Sequence, residues 1–264
     1  MSPSTDATEP TESVDSAVNP QPAWTTEELF REDADLLSCE ATVLAVTETG
    51  LILDRTVFYP LGGGQAGDAG TVTAPDGASL VIQDTRKAPE GGILHVAGTP
   101  ADLQRFVPGL VVRATIDAVR RKAHRRLHTT THLLCALVPH PVNGCSITAQ
   151  GARLDFHMTE PLDKDALNAG LARLVALARP VRHRWIDEAE LDANPGLVRS
   201  MSVQPPRGLG RIRVLDIEGI DLQPCGGTHV NNTADIGVVH VTKIEKKSAT
   251  TRRVVLALGD VAAG

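Results

Sequence analysis

Asp117-Ala118-Val119-Arg120-Arg121-Lys122-Ala123-His124-Arg125-Arg126-Leu127-His128-Thr129-Thr130-Thr131-His132-Leu133-Leu134-Cys135-Ala136-Leu137-Val138-Pro139 divides the chain in two. Asp117 suits a helix N-cap because its carboxylate accepts from the free amides of a first turn. Pro139 cannot continue a helix. Between them Leu127, Thr131, Leu134 and Val138 recur at helical spacing, so one long helix is predicted, running to about Val138.

Upstream of that helix the pattern has period two. Cys39 to Val46, Gly50 to Phe58, Gly70 to Thr73, Ser79 to Thr85 and Ile93 to Val96 are rich in β-branched and aliphatic residues, with turns at Asp76-Gly77 and Gly91-Gly92. Residues 34–116 therefore read as a small β-rich domain holding the loop Tyr59-Pro60-Leu61-Gly62-Gly63-Gly64-Gln65. Downstream, Asp163 caps a second helix from Lys164 to Ala178, closed by Pro180. Strands are predicted at Ala152 to His157, Val181 to Ile186, Arg211 to Ile217, Gly237 to Ile244 and Arg252 to Ala257. Helices lying on an antiparallel sheet make residues 117–264 an α+β domain, and the chain as a whole α+β. Residues 1–33 are read as an acidic, disordered tail. Within it Thr26, Glu27 and Glu28 are placed to start a short helix at Leu29 and Phe30.

Net charge is −6 over 264 residues, but unevenly spread. The first forty residues carry ten acidic groups against one basic group, Arg31, which makes that segment −9 and the remainder +3. The positive groups gather in two clusters: Arg120, Arg121, Lys122, Arg125 and Arg126, and Lys243, Lys246, Lys247, Arg252 and Arg253. Two solvated faces or a local surface for a small RNA end both fit that distribution. No apolar run is long enough to span a membrane, and the N-terminus has no apolar signal region, so a cytoplasmic protein is expected. Its four cysteines are then expected as thiols or metal ligands rather than disulfides.

His128 and His132 stand four residues apart, one helical turn, so both imidazoles face one way. Cys225-Gly226-Gly227-Thr228-His229 supplies a second pair of donors on a turn that two glycines permit. Three nitrogens and one sulfur are a zinc set by ligand type. A metallopeptidase of the His-Glu-x-x-His kind is not expected, because Thr129 stands where its base would be. Four protein ligands leave two arrangements open. Either one ligand is loose and zinc binds water, or zinc fixes the architecture and the substrate end. His95, His124, His140, His157, His183 and His240 are scattered and are read as ordinary surface or strand residues.

At these residues the chain resembles the freestanding alanyl-tRNA editing proteins, which are similar to the editing domain of alanyl-tRNA synthetase and more remotely to that of threonyl-tRNA synthetase. The stretches that carry the resemblance are Arg126 to Leu134, Asp221 to Val230 continuing through Asn232 to Gly237, Lys243 to Lys247, and Arg252-Arg253. Phe58-Tyr59-Pro60 with Gly62 to Gln65, and Arg153 to Phe156, extend it over roughly residues 38–258. The resemblance implies a β-barrel-like N-terminal domain joined to a zinc-bearing editing core. It implies a zinc ion on His128, His132, Cys225 and His229, with no organic cofactor and no membrane. It further implies hydrolysis of serine or glycine from alanine tRNA, acting in trans on the acceptor end of mischarged tRNA. Leu61 departs from the family, whose members often carry Thr there, and removes a hydroxyl from that loop. Gln223 departs from the threonyl type, which carries an acid.

On that reading His128, His132, Cys225, Gln65 and Thr228 form the catalytic centre. Gln65 orients the amino acid or water, and Thr228 either contacts substrate or holds the turn. Arg153 and Asp155 make a structural ion pair. Lys243, Lys246, Lys247, Arg252 and Arg253, extended by Arg207, Arg211 and Arg213, bind acceptor-stem phosphates. The competing readings are deacylation of another misacylated tRNA, such as a threonine tRNA carrying a noncognate amino acid, a zinc hydrolase of small esters, and a tRNA-binding module with structural zinc.

Overall fold

The computed structural model describes residues 23–201, 204, 205, 207, 208 and 210–259. Most of the expected acidic tail, residues 1–22, lies outside them. Its end does not behave as a tail. Strand β1 (Glu27–Glu28) pairs in parallel with β4 (Arg55–Thr56), and a 3-10 turn over Leu29–Arg31 buries Phe30 against Tyr59 and Ile93. Phe30 is the reason: an aromatic ring in an acidic segment still anchors when it packs edge-on against Tyr59 and on Ile93.

A closed six-stranded barrel follows. Its strands are β2 (Ser38–Val46), β3 (Gly50–Leu53), β5 (Gly70–Thr73), β6 (Ser79–Lys87), β7 (Ile93–Ala97) and β8 (Val111–Ile116), joined in the order β2-β3-β7-β6-β5-β8. Alternation puts Ala41, Val43, Leu51, Leu53, Val72, Leu80, Ile82, Val112 and Ala114 inside, in one aliphatic cluster. The predicted single strand Gly50 to Phe58 is broken at Asp54. Its carboxylate accepts from the Thr42 backbone amide, and the chain bends away into β4.

Helix α1 (Ala118–Leu137) starts at Asp117, which accepts from the Arg120 amide, and lies across a four-stranded antiparallel sheet. That sheet runs β14-β15-β10-β9, with β9 (Val142–Ile147), β10 (Ala152–His157), β14 (Val239–Ser248) and β15 (Thr251–Leu258). Helix α2 (Lys164–Ala176), capped by Asp163, packs on α1 and on the same sheet. It stops two residues short of the prediction because Ala178 takes a left-handed φ of 50° ahead of Pro180. A second sheet holds β11 (Val181–Asp187), β12 (Arg211–Ile217) and β13 (Asp221–Pro224), with the short helix α3 (Glu188–Ala193) on one face. Strand β9 escapes a sequence reading since Pro141 and Asn143-Gly144 look like breakers, yet Gly144 pairs with Asp155 inside the ladder.

Barrel and core are locked by charge. Arg121 on α1 is fully buried; it donates to Asp68 Oδ2 and to the carbonyls of Val57 and Ala34, while the Tyr59 amide donates to the same carboxylate. The basic run at the start of α1, read from sequence as a solvated or RNA-facing surface, is mostly a clamp. Arg120 donates to Gly67 O, Arg125 to His229 O and Arg126 to Ile236 O. Four of its five cations are thus directed inward to backbone acceptors, and among the described residues Lys122 alone has none.

Candidate metal centre

The ligand atoms of His128, His132, Cys225 and His229 lie within 4.8 Å of one another. Helix α1 supplies the two histidines one turn apart. The loop after β13 supplies Cys225 and His229, and Arg213 fixes that loop by donating to the carbonyls of Cys225 and Gly227 at 2.9 and 3.1 Å. Gly227 carries no side chain for a steric reason. A Cβ there would lie 2.1 Å from His128 Cε1.

Each imidazole is held from behind through Nδ1. His128 donates to Gln65 Oε1 at 2.8 Å. The Thr228 amide donates to that same oxygen, which fixes the orientation of the Gln65 amide and hence the tautomer of His128. His132 donates to Asp221 Oδ2 at 2.9 Å. His229 donates to Thr129 Oγ1 at 3.2 Å, whose own proton goes to the Arg125 carbonyl. All three rings therefore turn Nε2 toward one point. Cys225 Sγ sits 3.5 Å from His128 Nε2 and 3.2 Å from His229 Nε2. Zinc bonds of about 2.0 Å to nitrogen and about 2.3 Å to sulfur, in a tetrahedron, place donors about 3.5 Å apart, so the donor set and its spacing fit zinc.

Burial raises the Cys225 thiol, but the charges of His128 and His229 and hydrogen bonds from His128 and His132 outweigh it and hold the thiol well below its ordinary range. Burial lowers His229 and prevails over the neighbouring thiolate. Burial also lowers His132, yet Asp221 and Cys225 overcome it and lift His132 to about 10. A thiolate beside a carboxylate-backed histidine is an electrostatic setting made for a cation.

Gln65 is fully buried at the end of the glycine-rich loop. Its backbone bridges to Ile147 of β9, so the barrel's loop is seated on the core, and its side chain reaches His128 and Thr228. The Gln65 amide is thus engaged by a candidate ligand, His128, and by Thr228. Thr228 accepts from Gln65 Nε2 at 2.9 Å and holds the turn, with no exposed hydroxyl. Leu61 of the same loop is 51% exposed. Gln223 donates to both oxygens of Asp221. Asp221 and Thr129 are the residues the sequence reading missed. The available signal was the period of β13, which puts Asp221 and Gln223 on one face.

The residues expected to meet RNA separate into two groups. Arg213 is buried in the ligand loop, and Arg252 is buried with donors to the carbonyls of Ser248, Thr251 and Thr159; neither is a surface cation. Arg253 is engaged in a two-point pair with Asp155 at 2.7 and 2.9 Å, and Arg153 joins it at 2.8 Å. Lys246 and Lys247 are exposed on β14, and Lys243 pairs with Glu245. Arg207 pairs with Asp192, and Arg211 lies over the Trp185 ring at 5.3 Å. Two of the histidines read as ordinary are deeply buried. His95 bonds Thr56 Oγ1, and His124 lies 3.7 Å from Asp68 with neither ring nitrogen hydrogen-bonded among the described residues. None of the four cysteines is in a disulfide. No helix among the described residues is long and apolar enough to cross a membrane.

Two protein families match the chain. The threonyl and alanyl tRNA synthetase second additional domain matches residues 212–255, and the class II (A) tRNA synthetases match residues 25–120. An alanyl-tRNA editing protein, AlaX-M, of Methanosarcina barkeri is 32% identical over 89% of this chain and 100% of its own length. Alanine–tRNA ligases of Methanothermobacter thermautotrophicus and Pyrococcus furiosus are 35% and 33% identical over 90% of this chain. The chain spans about a quarter of the length of those ligases, 27% and 26%.

Proposed function

The chain belongs to the alanyl-tRNA editing protein family, and from that membership we propose that it is a trans-acting aminoacyl-tRNA deacylase. It hydrolyses the ester joining serine or glycine to alanine tRNA. The observation that carries this reading is the convergence of three imidazoles, each fixed through Nδ1, with the Cys225 thiolate on a single point. His128, His132, Cys225 and His229 would hold a zinc ion there, and it would supply Lewis-acid stabilisation of the charge that develops on the ester carbonyl.

The residues around the centre do the positioning. Gln65, Asp221 and Thr129 engage Nδ1 of each imidazole and keep the rings correctly turned. Arg213 and Arg125 hold the ligand loop. No side chain within this constellation stands free as a general base, which suits an ester, already more reactive than an amide. The division at 116/117 belongs to the same reading, with a barrel that delivers Gln65 and an editing core that carries the ligands. So does a cytoplasmic location, where charged tRNA circulates, and so does the acceptor end as the part of the tRNA engaged, with no organic cofactor.

The test is deacylation of Ser-tRNA and Gly-tRNA made on alanine tRNA, with Ala-tRNA beside them, by the native chain and by Cys225→Ala. Loss of a misacylated species, sparing of Ala-tRNA and failure of the variant support the reading. Turnover of a misacylated threonine tRNA instead would move the substrate while keeping the chemistry. Equal cleavage of free aminoacyl esters would favour a small-ester hydrolase.

A further inference from the structure

The sheet β11-β12-β13 has one face that runs from the metal centre to open solvent. Residues paired across an antiparallel ladder share a face. By register Asp221 lies opposite Ile217, Gln223 opposite Leu215, Leu215 opposite His183, and Arg213 opposite Trp185. Asp221 backs a candidate metal ligand, Arg213 grips the ligand loop, and Trp185 is 40% exposed with Arg211 Cζ over its ring, 5.3 Å from the centroid. The face thus begins at a metal ligand's partner and ends on an aromatic ring with a cation over it.

Between those ends lies a cleft of about 110 Å³ with His183, Arg213 and His229 among its walls. Its opposite wall is the segment Arg31 to Asp35, pinned by the Arg125–Asp35 ion pair and by Asn231 donating to Asp35. Glu32 and Asp33 on that wall disfavour a phosphate and suit the α-ammonium of an aminoacyl ester. Trp185 is two residues beyond His183 on the same face, about 7 Å along the strand, close to the spacing of successive bases in an extended single strand. Arg213 lines the cleft while its Nη1 donates to the carbonyls of Cys225 and Gly227, so this wall is tied to the loop that carries His229.

We propose that Trp185, with Arg211 over it, is a stacking platform for an unpaired base of the tRNA 3′ end, with the terminal aminoacyl nucleotide entering the cleft beside His183. This rests on the deacylase reading and gives it a path. Stacking on a ring accepts any base, and an arginine over the ring adds a cation–π contribution. Trp185 would govern binding and leave the hydrolytic step alone, since it touches no metal ligand.

Two measurements test it. In a Trp24→Phe background, Trp185 is the remaining tryptophan, and its emission is recorded as alanine tRNA is added, intact or with its 3′ unpaired nucleotides removed. Quenching by the intact tRNA alone is expected. Equal quenching by the trimmed tRNA, or none by either, overturns the proposal. In steady-state deacylation, Trp185→Ala is expected to raise KM by about tenfold, within the factor of about 5 to 150 that such stacking is worth, while kcat changes less than twofold and Trp185→Phe restores KM. An unchanged KM in Trp185→Ala overturns it while leaving the deacylase reading intact. Should the native chain prove to deacylate no tRNA, the proposed function falls, and the emission comparison decides the platform alone.

Discussion

Asp221 Oδ2 accepts from His132 Nδ1 at 2.9 Å, four residues ahead of Cys225 on the strand that leads into the ligand loop. One short segment thereby supplies a metal ligand and the carboxylate that orients another. Gln223 shares that carboxylate through both oxygens, so Asp221 is held before any ion arrives. Replacing Asp221 by Asn keeps the shape and removes the charge, and loss of such a partner costs about 10- to 100-fold in metal affinity. Competition for zinc against a chromophoric chelator reads this directly. Affinity equal to the native chain would show that the carboxylate does not support the metal.

Gln65 makes the same point across the boundary between barrel and core. Its Oε1 accepts from His128 Nδ1 and from the Thr228 amide, all in a fully buried position. Gln65→Leu leaves both donors unpaired, which costs about 1–3 kcal/mol each. Lower zinc affinity and a lower urea midpoint are expected together. A variant that lost deacylation while keeping both would return Gln65 to the substrate-contacting role that its loop first suggests.

The outline of the fold was legible because its strongest signals are local. Asp117 and Asp163 cap the helices they were expected to cap, and alternation finds β2, β6 and β10 almost to the residue. The convergence of His128, His132, Cys225 and His229 was legible for the same reason, as two short motifs with donor chemistry. What sequence could not supply was direction. The run Arg120 to Arg126 looks like a charged surface, yet its guanidiniums reach carbonyls on chain segments 53 to 112 residues away. Likewise Arg252 and Arg253 resemble a phosphate clamp, but one is buried on carbonyls and the other is committed to Asp155. Whether an arginine faces water or a backbone acceptor is a tertiary fact that charge patterning does not encode.

The ion pair Arg121–Asp68 predicts a large stability effect. Both side chains are buried, and Asp68 receives Arg121 Nε at 3.0 Å and the Tyr59 amide at 2.8 Å. Burial raises the Asp68 carboxyl, but His124 and Arg121 prevail and hold it below its ordinary range. Removing one partner strands the other, so Asp68→Ala is expected to cost about 3–5 kcal/mol in urea unfolding. Arg121→Met together with Asp68→Leu should recover part of the loss, and a double variant as unstable as the single one would show that the pair's charge is not what matters.

His95 gives the pH dependence a sign. Fully buried in the barrel, it is lowered by desolvation from 6.5 to about 4, against smaller contributions from the Leu51 and Ile93 backbone. The unfolded chain therefore binds more protons between those values, so this contribution is complete above pH 6.5 and is lost as pH falls toward 4. At full extent it amounts to about 3 kcal/mol. Comparing urea midpoints of the native chain and His95→Gln at pH 7 and pH 4.5 isolates it, because other groups titrate in both. The gap between the two proteins should narrow or reverse at the lower pH, and a constant gap would contradict the assignment.

Two adjacent glycines in the ligand loop make the sharpest contrast. A methyl at Gly227 would lie 2.1 Å from His128 Cε1, 2.4 Å from its Nδ1 and 3.1 Å from Gln65 Oε1. None of these can yield, since the ring is fixed by Gln65 behind and by the point where the ligands meet in front. A methyl at Gly226 meets only the far end of the Arg31 side chain, at 3.1 Å, and that guanidinium can swing aside. Gly227→Ala is therefore expected to abolish stoichiometric zinc binding while Gly226→Ala retains it within a few-fold, both read by metal content after dialysis. Since the two substitutions add the same methyl one residue apart, propensity and loop entropy nearly cancel between them. Equal zinc retention would mean that His128 can move, and that the three braced imidazoles are not a rigid set.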